Sequence, residues 1–181
     1  MGSIDWRTAD LCINGDINEW PGRCVPYDCS RCRQAQRHAT GSFYRDQLDP
    51  KQIGPVPSNA IIVNQTPQLE VLKRTSVCIT HAGLNTVLES LAQGVPQLAI
   101  PVTFEQPGIA ARIAAKKTGV AMSFADLTSE HLSTLLDEVL NCSIYRENAR
   151  KFQEIISKTN GLAIAANIVE RCFGVIQESA F

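Results

Sequence analysis

Short aliphatic and β-branched runs alternate along the chain with segments whose apolar residues recur every three or four positions. AIIVN (60–64), SVCIT (76–80), QLAIPV (97–102) and VAMSF (120–124) are the runs, each of a length suited to a buried strand. Between the second and third, Leu84, Val87, Leu88, Leu91 and Ala92 fall at helical spacing. Gly94 stops that helix and Pro96 follows it. QPGIAARIAAKKTG (106–119) reads as a helix with Pro107 in its first turn and Gly119 at its end. Thr128 has the place of an N-cap for a helix that puts Leu132, Leu135, Leu136 and Val139 on one face. Two further helical patterns cover about 144–158 and 161–173. Strands alternating with helices of this length predict an α/β fold, a parallel sheet with flanking helices.

The first 55 residues break the pattern. They are dense in Cys, Arg, Gly and Pro, and no strand or helix is assigned there. The expected division is an atypical Cys-rich segment over 1–55, poorly ordered or a remnant, followed by a folded domain over 56–181.

Composition narrows the class. With 44% hydrophobic and 19% charged residues in 181, the chain affords one buried core. Its 17 basic residues nearly balance 18 acidic ones, so no field draws it to nucleic acid or an anionic membrane. No apolar run spans a bilayer and no charged-then-apolar leader opens the chain, so a cytoplasmic protein is expected, with peripheral membrane contact as the one variant. Seven cysteines are an odd number, which argues against a disulfide framework. Cys78, Cys142 and Cys172 sit in apolar contexts and read as buried small hydrophobes. Cys24, Cys29, Cys32 and His38 could complete a tetrahedral zinc site, but the spacing is irregular and only one Cys-x-x-Cys pair is present. They read as incidental thiols, and no metal is expected. A redox role for Cys29 and Cys32 has no βαβ pattern around it.

Candidate chemistry concentrates in residues 78–113. A strand ends at Thr80, His81-Ala82-Gly83 turn, and a helix opens at about Leu84. In a parallel sheet that turn lies at the carboxyl edge, where open α/β folds bind ligands. The helix N-terminus brings free N–H groups and partial positive charge, and Gly83 lets an anion approach the backbone. Asn85 and Thr86 in the first turn can add hydrogen bonds. Glu89, one turn deeper on the face of Asn85, suits paired sugar hydroxyls. A structural histidine at 81 and a solvated carboxylate at 89 are the plain alternatives. Glu105 and Gln106 end the next strand's loop, where they can read hydroxyl groups or serve the following helix as N-terminal caps.

The stretch TPQLEVLKRTSVCITHAGLNTVLESLAQGVPQLAIPVTFEQPGIAARI resembles the nucleotide-sugar signature of the UDP-glycosyltransferase superfamily. That signature runs Pro-Gln, His-x-Gly-x-Asn-Ser/Thr-x-x-Glu, Gly-Val-Pro, and an acid followed by Gln. Here these are Pro67-Gln68, His81 to Glu89, Gly94-Val95-Pro96 and Glu105-Gln106. The QPGIAARI continuation is most similar to the zeaxanthin (carotenoid) glucosyltransferase branch, and GLAIAANIVE (161–170) to the closing helix of such domains. The resemblance covers about residues 56–174. It implies a Rossmann-like sheet, the C-terminal half of a GT-B type glycosyltransferase, with 56–181 as the nucleotide-sugar donor-binding domain. It further implies that His81 contacts the donor diphosphate, that Asn85 and Thr86 bind the α-phosphate, and that Glu89 holds the ribose. By the same resemblance Gln68 sits beside the uracil, and Glu105 and Gln106 bind the sugar. The donor implied is a UDP-sugar, with UDP-glucose favoured by resemblance alone, the acceptor a lipophilic hydroxyl compound such as a carotenoid, and no cofactor is implied.

Three departures qualify what is implied. Gln65 stands where the family usually has an aromatic residue stacked on uracil, and Glu105 replaces the common Asp. Nothing before residue 55 matches the acceptor domain that carries the family's catalytic His–Asp pair, so no catalytic residue is assigned, and His38 has no base context. A truncated or frame-shifted reading of residues 12–46 is one explanation. The expectation is then a chain that binds donor and transfers slowly or not at all, with a cleft face uncovered and open to self-association. The rival expectation is a non-catalytic nucleotide-binding or interaction module.

Overall fold

The computed structural model describes residues 67–173 in full and, before them, the backbone of three strands. The strands are β1 (Ala9–Gly15), β2 (His38–Phe43), β3 (Ala60–Val63), β4 (Val77–Thr80), β5 (Gln97–Ala99) and β6 (Gly119–Ala121). The helices are α1 (Gln68–Leu72), α2 (Leu84–Ala92), α3 (Gln106–Ala115), α4 (Ser129–Asn141), α5 (Ser143–Ser157) and α6 (Gly161–Cys172). All six strands pair in parallel in the order β3-β2-β1-β4-β5-β6. This is the doubly wound order, in which the sheet grows one way from β1 to β3 and the other way from β4 to β6. The reversal falls between β1 and β4.

The expected strands at 60–64, 76–80, 97–102 and 120–124 correspond to β3 to β6, with shorter pairing. Two strands were not expected. β1 and β2 lie within the first 55 residues and run beside β4 and β3, so the sheet crosses the 55/56 division. Their sequences, ADLCING and HATGSF, carry few β-formers; partners on both sides override weak local propensity. The Cys24, Cys29 and Cys32 candidate, like Gln65, lies outside the described residues. Of the three cysteines expected to be buried, Cys78 in β4 is, but Cys142 and Cys172 are exposed, because each stands at a helix end that no other element covers.

Side-chain alternation on β4 and β5 builds two cores. Val77, Ile79, Leu98 and Ile100 face one side with Val120 and Met122, where α4 covers them with Leu132, Leu136 and Val139. Thr128 caps α4 as expected, accepting from the His131 N–H at 3.1 Å. On the other side Ala99 packs with Val87 and Leu91 of α2, Ile109 and Ile113 of α3 and Ala149 of α5. Gly94 takes φ 66° to leave α2, the turn that glycine makes without steric cost. α3 stops at Ala115, four residues before Gly119; Lys117, with φ 49°, makes the reversal there.

Polar ties fix α2 and α5. Buried Gln97 donates from Nε2 to the Val87 carbonyl at 2.9 Å. The Arg146 guanidinium of α5 donates to the carbonyls of Gly94 and Ser76, and its burial, then the charge of Arg150, lowers its pKa. α6 is exposed over nearly its whole length, including Leu162, Ile168 and Val169. Among the described residues no helix is long and apolar enough to cross a membrane.

Gly119 faces Gln97 across the β5–β6 pair, and a Cβ there would lie 1.8 Å from the Gln97 carbonyl oxygen. Gly119→Ala is expected to cost about 3 kcal/mol or more in denaturant unfolding. Gly108→Ala, with open space around its Cβ in α3, is expected to stabilise by up to about 1 kcal/mol. Equal effects would contradict the β5–β6 register.

Candidate functional site

The site grows from the end of β4. All four β4 residues are buried, so the strand cannot shift, and its last residue pairs with Asn14 of β1 at the reversal of strand order. The chain then turns sharply through Ala82, at φ 68°, a left-handed conformation that costs an L-residue about 1–2 kcal/mol. The Thr80 hydroxyl holds this turn by accepting the Ala82 N–H at 3.1 Å, and Ala82 is fully buried. The strained residue follows the carboxyl end of β4 beside the reversal of strand order, the place where doubly wound sheets bind ligands.

Gly83 is the N-cap residue of α2, and no side chain caps the helix. The first-turn N–H groups therefore have no side-chain acceptor, at the positive end of the helix. Asn85 is exposed and Thr86 half-buried in that turn. The His81 ring lies over Gly83: a Cβ on Gly83 would come 2.4 Å from Nε2. Glycine at 83 is thus a requirement of space. The His81 Nδ1 is buried without a hydrogen-bond partner, an expense of about 1–3 kcal/mol that a polar ligand or a partner group would offset.

A second polar group stands beside the helix. Gln68 of α1 donates from Nε2 to Glu89 Oε2 at 2.6 Å and, at a longer 3.4 Å, to Thr86 Oγ1. Glu89 is half-buried and held, which sets aside the solvated-carboxylate alternative. The structure therefore brings Gln68, Thr86 and Glu89 together one turn behind His81 and Gly83.

The neighbouring loop, 100–105, follows β5. Glu105 occupies the N-cap position of α3 but makes no capping hydrogen bond, and it is exposed. Gln106 is buried, and its Oε1 accepts the N–H groups of Val102 at 2.8 Å and Thr103 at 3.0 Å. Its carbonyl oxygen is a loop brace, because two backbone N–H groups in a tight loop need an acceptor. Sequence reasoning missed this use of Gln106, as well as the strained Phe104 and the left-handed Ala82, since neither residue type announces a positive φ.

Residues 44–159, more than half the chain, match the family UDP-glucoronosyl and UDP-glucosyl transferase. The chain belongs to that family. It is 32% identical over 118 residues to demethyllactenocin mycarosyltransferase of Streptomyces fradiae, covering 65% of this chain and 26% of that protein. It is 28% identical over 123 residues to the NDP-glycosyltransferase YjiC of Bacillus subtilis, covering 68% and 31%. Among solved structures, the calicheamicin glycosyltransferase CalG4 superposes with a TM-score of 0.77 at 26% identity, over 96% of this chain and 44% of that one. The glycosyltransferase VinC, solved in complex with DTDP, gives 0.73 at 18% identity over 90% and 42%. The fold is that of GT-B glycosyltransferases, and the chain spans less than half the length of these relatives.

Removing the Gln106 brace leaves two loop N–H groups without their acceptor. Gln106→Ala is expected to cost about 1–3 kcal/mol in urea unfolding. An unchanged midpoint would show that solvent satisfies the loop equally well.

Proposed function

We propose that this chain binds a UDP-sugar at the β4–α2 turn and acts as the donor-binding part of a glycosyltransferase. The observation that carries the reading is the uncapped N-terminus of α2, opening beside His81 at the reversal of strand order. A nucleoside diphosphate is the ligand whose parts fit the available groups. Its phosphates suit the N–H groups of the first turn with Asn85 and Thr86. His81 faces the diphosphate across Gly83. Glu89, fixed through one oxygen by Gln68, has the other for a ribose hydroxyl pair. Gln68, assigned by family resemblance to the uracil, acts first through Glu89.

In transfer, an acceptor hydroxyl attacks the anomeric carbon while the bond to UDP breaks, with inversion. Charge builds on the departing diphosphate, and the α2 N-terminus with His81 stabilises it. The family names a glucosyl group among its donors, so a hexose and first of all glucose is the proposed sugar. A lipophilic alcohol, as in the carotenoid branch, is the proposed acceptor. The base that removes the acceptor proton is supplied by a domain of the kind that fills the rest of the longer relatives.

Isothermal titration with UDP and UDP-glucose tests the reading. Binding of both is expected, with affinity for UDP reduced about 10-fold by His81→Ala and by Glu89→Ala. Absence of UDP binding, or binding insensitive to both substitutions, would contradict it.

A further inference from the structure

The amino ends of the strands carry a charge pattern that the donor site does not use. Lys117 lies just past the end of α3 at φ 49°, the left-handed place after a helix that glycine normally takes. Lys117 is exposed, so core packing does not impose that conformation. α5 holds the turn instead: Asn148 donates from Nδ2 to the carbonyls of Lys116 and Lys117 at 3.3 and 3.2 Å. The Asn148 Oδ1 accepts in turn from the Lys151 ammonium at 3.0 Å. One asparagine thus gathers three lysines at one turn. It also supplies the donor that the carbonyls at the end of α3 need, so the lysine side chains are not required as caps.

More cations stand along the same edge. The Arg146 guanidinium reaches the carbonyls of Ser76 and Gly94, which lead into β4 and β5, and Arg150 lies against Gly94. Arg74 is two residues before Ser76, and Arg112 is one turn before Lys116. Arg74, Arg112, Lys116, Lys117, Arg150 and Lys151 are all exposed. Among the described residues the ion pairs are Glu70 with Lys73 and Glu154 with Lys158, so none of these six is neutralised by a described carboxylate. Glu147, one turn before Lys151, is the acidic residue set among them. The near balance of charge over the whole chain conceals this local field, which acts only within about 8–10 Å at physiological salt.

We propose that this edge, centred on Lys116, Lys117 and Lys151, is a docking face for an anionic lipid bilayer. Exposed ammonium groups on long stems hold a single small anion weakly. They gain when many anionic headgroups are presented at once, by about 5-fold in partition per cation. Nucleic acid is the other extended polyanion, but proteins that bind it are basic as whole domains, and this chain has a net charge of −1. A bilayer requires only one basic face and lets the acidic residues turn away. The face lies at the opposite end of the strands from the α2 N-terminus, so docking leaves that opening in solution. It is independent of the donor site.

Co-sedimentation of the full chain with phosphatidylcholine vesicles, with and without phosphatidylserine, tests this. Binding is expected only with phosphatidylserine present, with release at about 0.5 M salt. Lys117→Gly is expected to lower the bound partition about 5-fold while its melting temperature equals or exceeds that of the wild type, since glycine accepts the positive φ. A Lys116→Glu/Lys151→Glu double variant is expected to lose binding altogether. Lys158→Gln removes one charge away from this edge and is expected to bind as the wild type does. Equal binding to both kinds of vesicle would overturn the proposal. So would a loss in Lys158→Gln as large as in Lys117→Gly. A cooperatively melting wild type that ignores the vesicles, whether or not it binds a DNA oligonucleotide, would also overturn it.

Discussion

Everything at the candidate site depends on how the chain leaves β4. The strand is buried along its whole length between β1 and β5, and its exit is forced through a left-handed alanine braced by the Thr80 hydroxyl. That reversal aims α2 so that its N-terminus opens at the carboxyl edge of the sheet. A more relaxed turn would cost less and would let the helix drift. The conformational expense at Ala82 is of the order of a single hydrogen bond, and the fold bears it because the core on both faces leaves the strand no alternative.

The helix behind this turn is positioned by polar contacts as much as by packing. Gln97 reaches from β5 to the Val87 carbonyl, and Ser90 donates to the Thr86 carbonyl at 2.7 Å within α2. Val87 and Leu91 meanwhile press the helix onto the sheet. An interior amide from a neighbouring strand locks translation along the helix axis in a way that apolar contacts, being non-directional, do not. The same device recurs in the next loop, where the Gln106 amide fixes the backbone ahead of α3. Two glutamines thus set the positions of two adjacent loops, and a ligand that touches both meets a surface formed in advance.

Much of this was legible in the residues. The helix with Val87 and Leu91 inward, the Gly94 stop and the Thr128 cap all appear where periodicity and cap chemistry put them, whereas Leu84 and Leu88 of the same expected face are exposed. The strand–turn–helix at 77–92 was legible too, because a buried run, a glycine and an amphipathic face coincide. β1 and β2 were not legible: they are short, carry Gly, Ser, Asp and Asn, and are defined by their partners rather than by their own pattern. The five-residue α1 falls below the length at which a period can be read. At the site, residue types suggested His81, Gly83 and Glu89. The link from Gln68 to Glu89 was not visible, since 21 positions separate them and only the fold joins them. Gln106 shows the opposite difficulty: its residue type suggested ligand contact, and the brace that its Oε1 makes within its own loop was not visible.

The central claim is that the opening of α2 is a diphosphate site. A crystal structure of the chain soaked with UDP tests it most directly. The account predicts the diphosphate against the first-turn N–H groups of α2, within hydrogen-bond distance of Asn85 or Thr86, with the His81 ring beside it and the ribose at Glu89. UDP seated away from the β4–α2 turn, or a turn filled by the protein's own side chains while the nucleotide binds elsewhere, would contradict it.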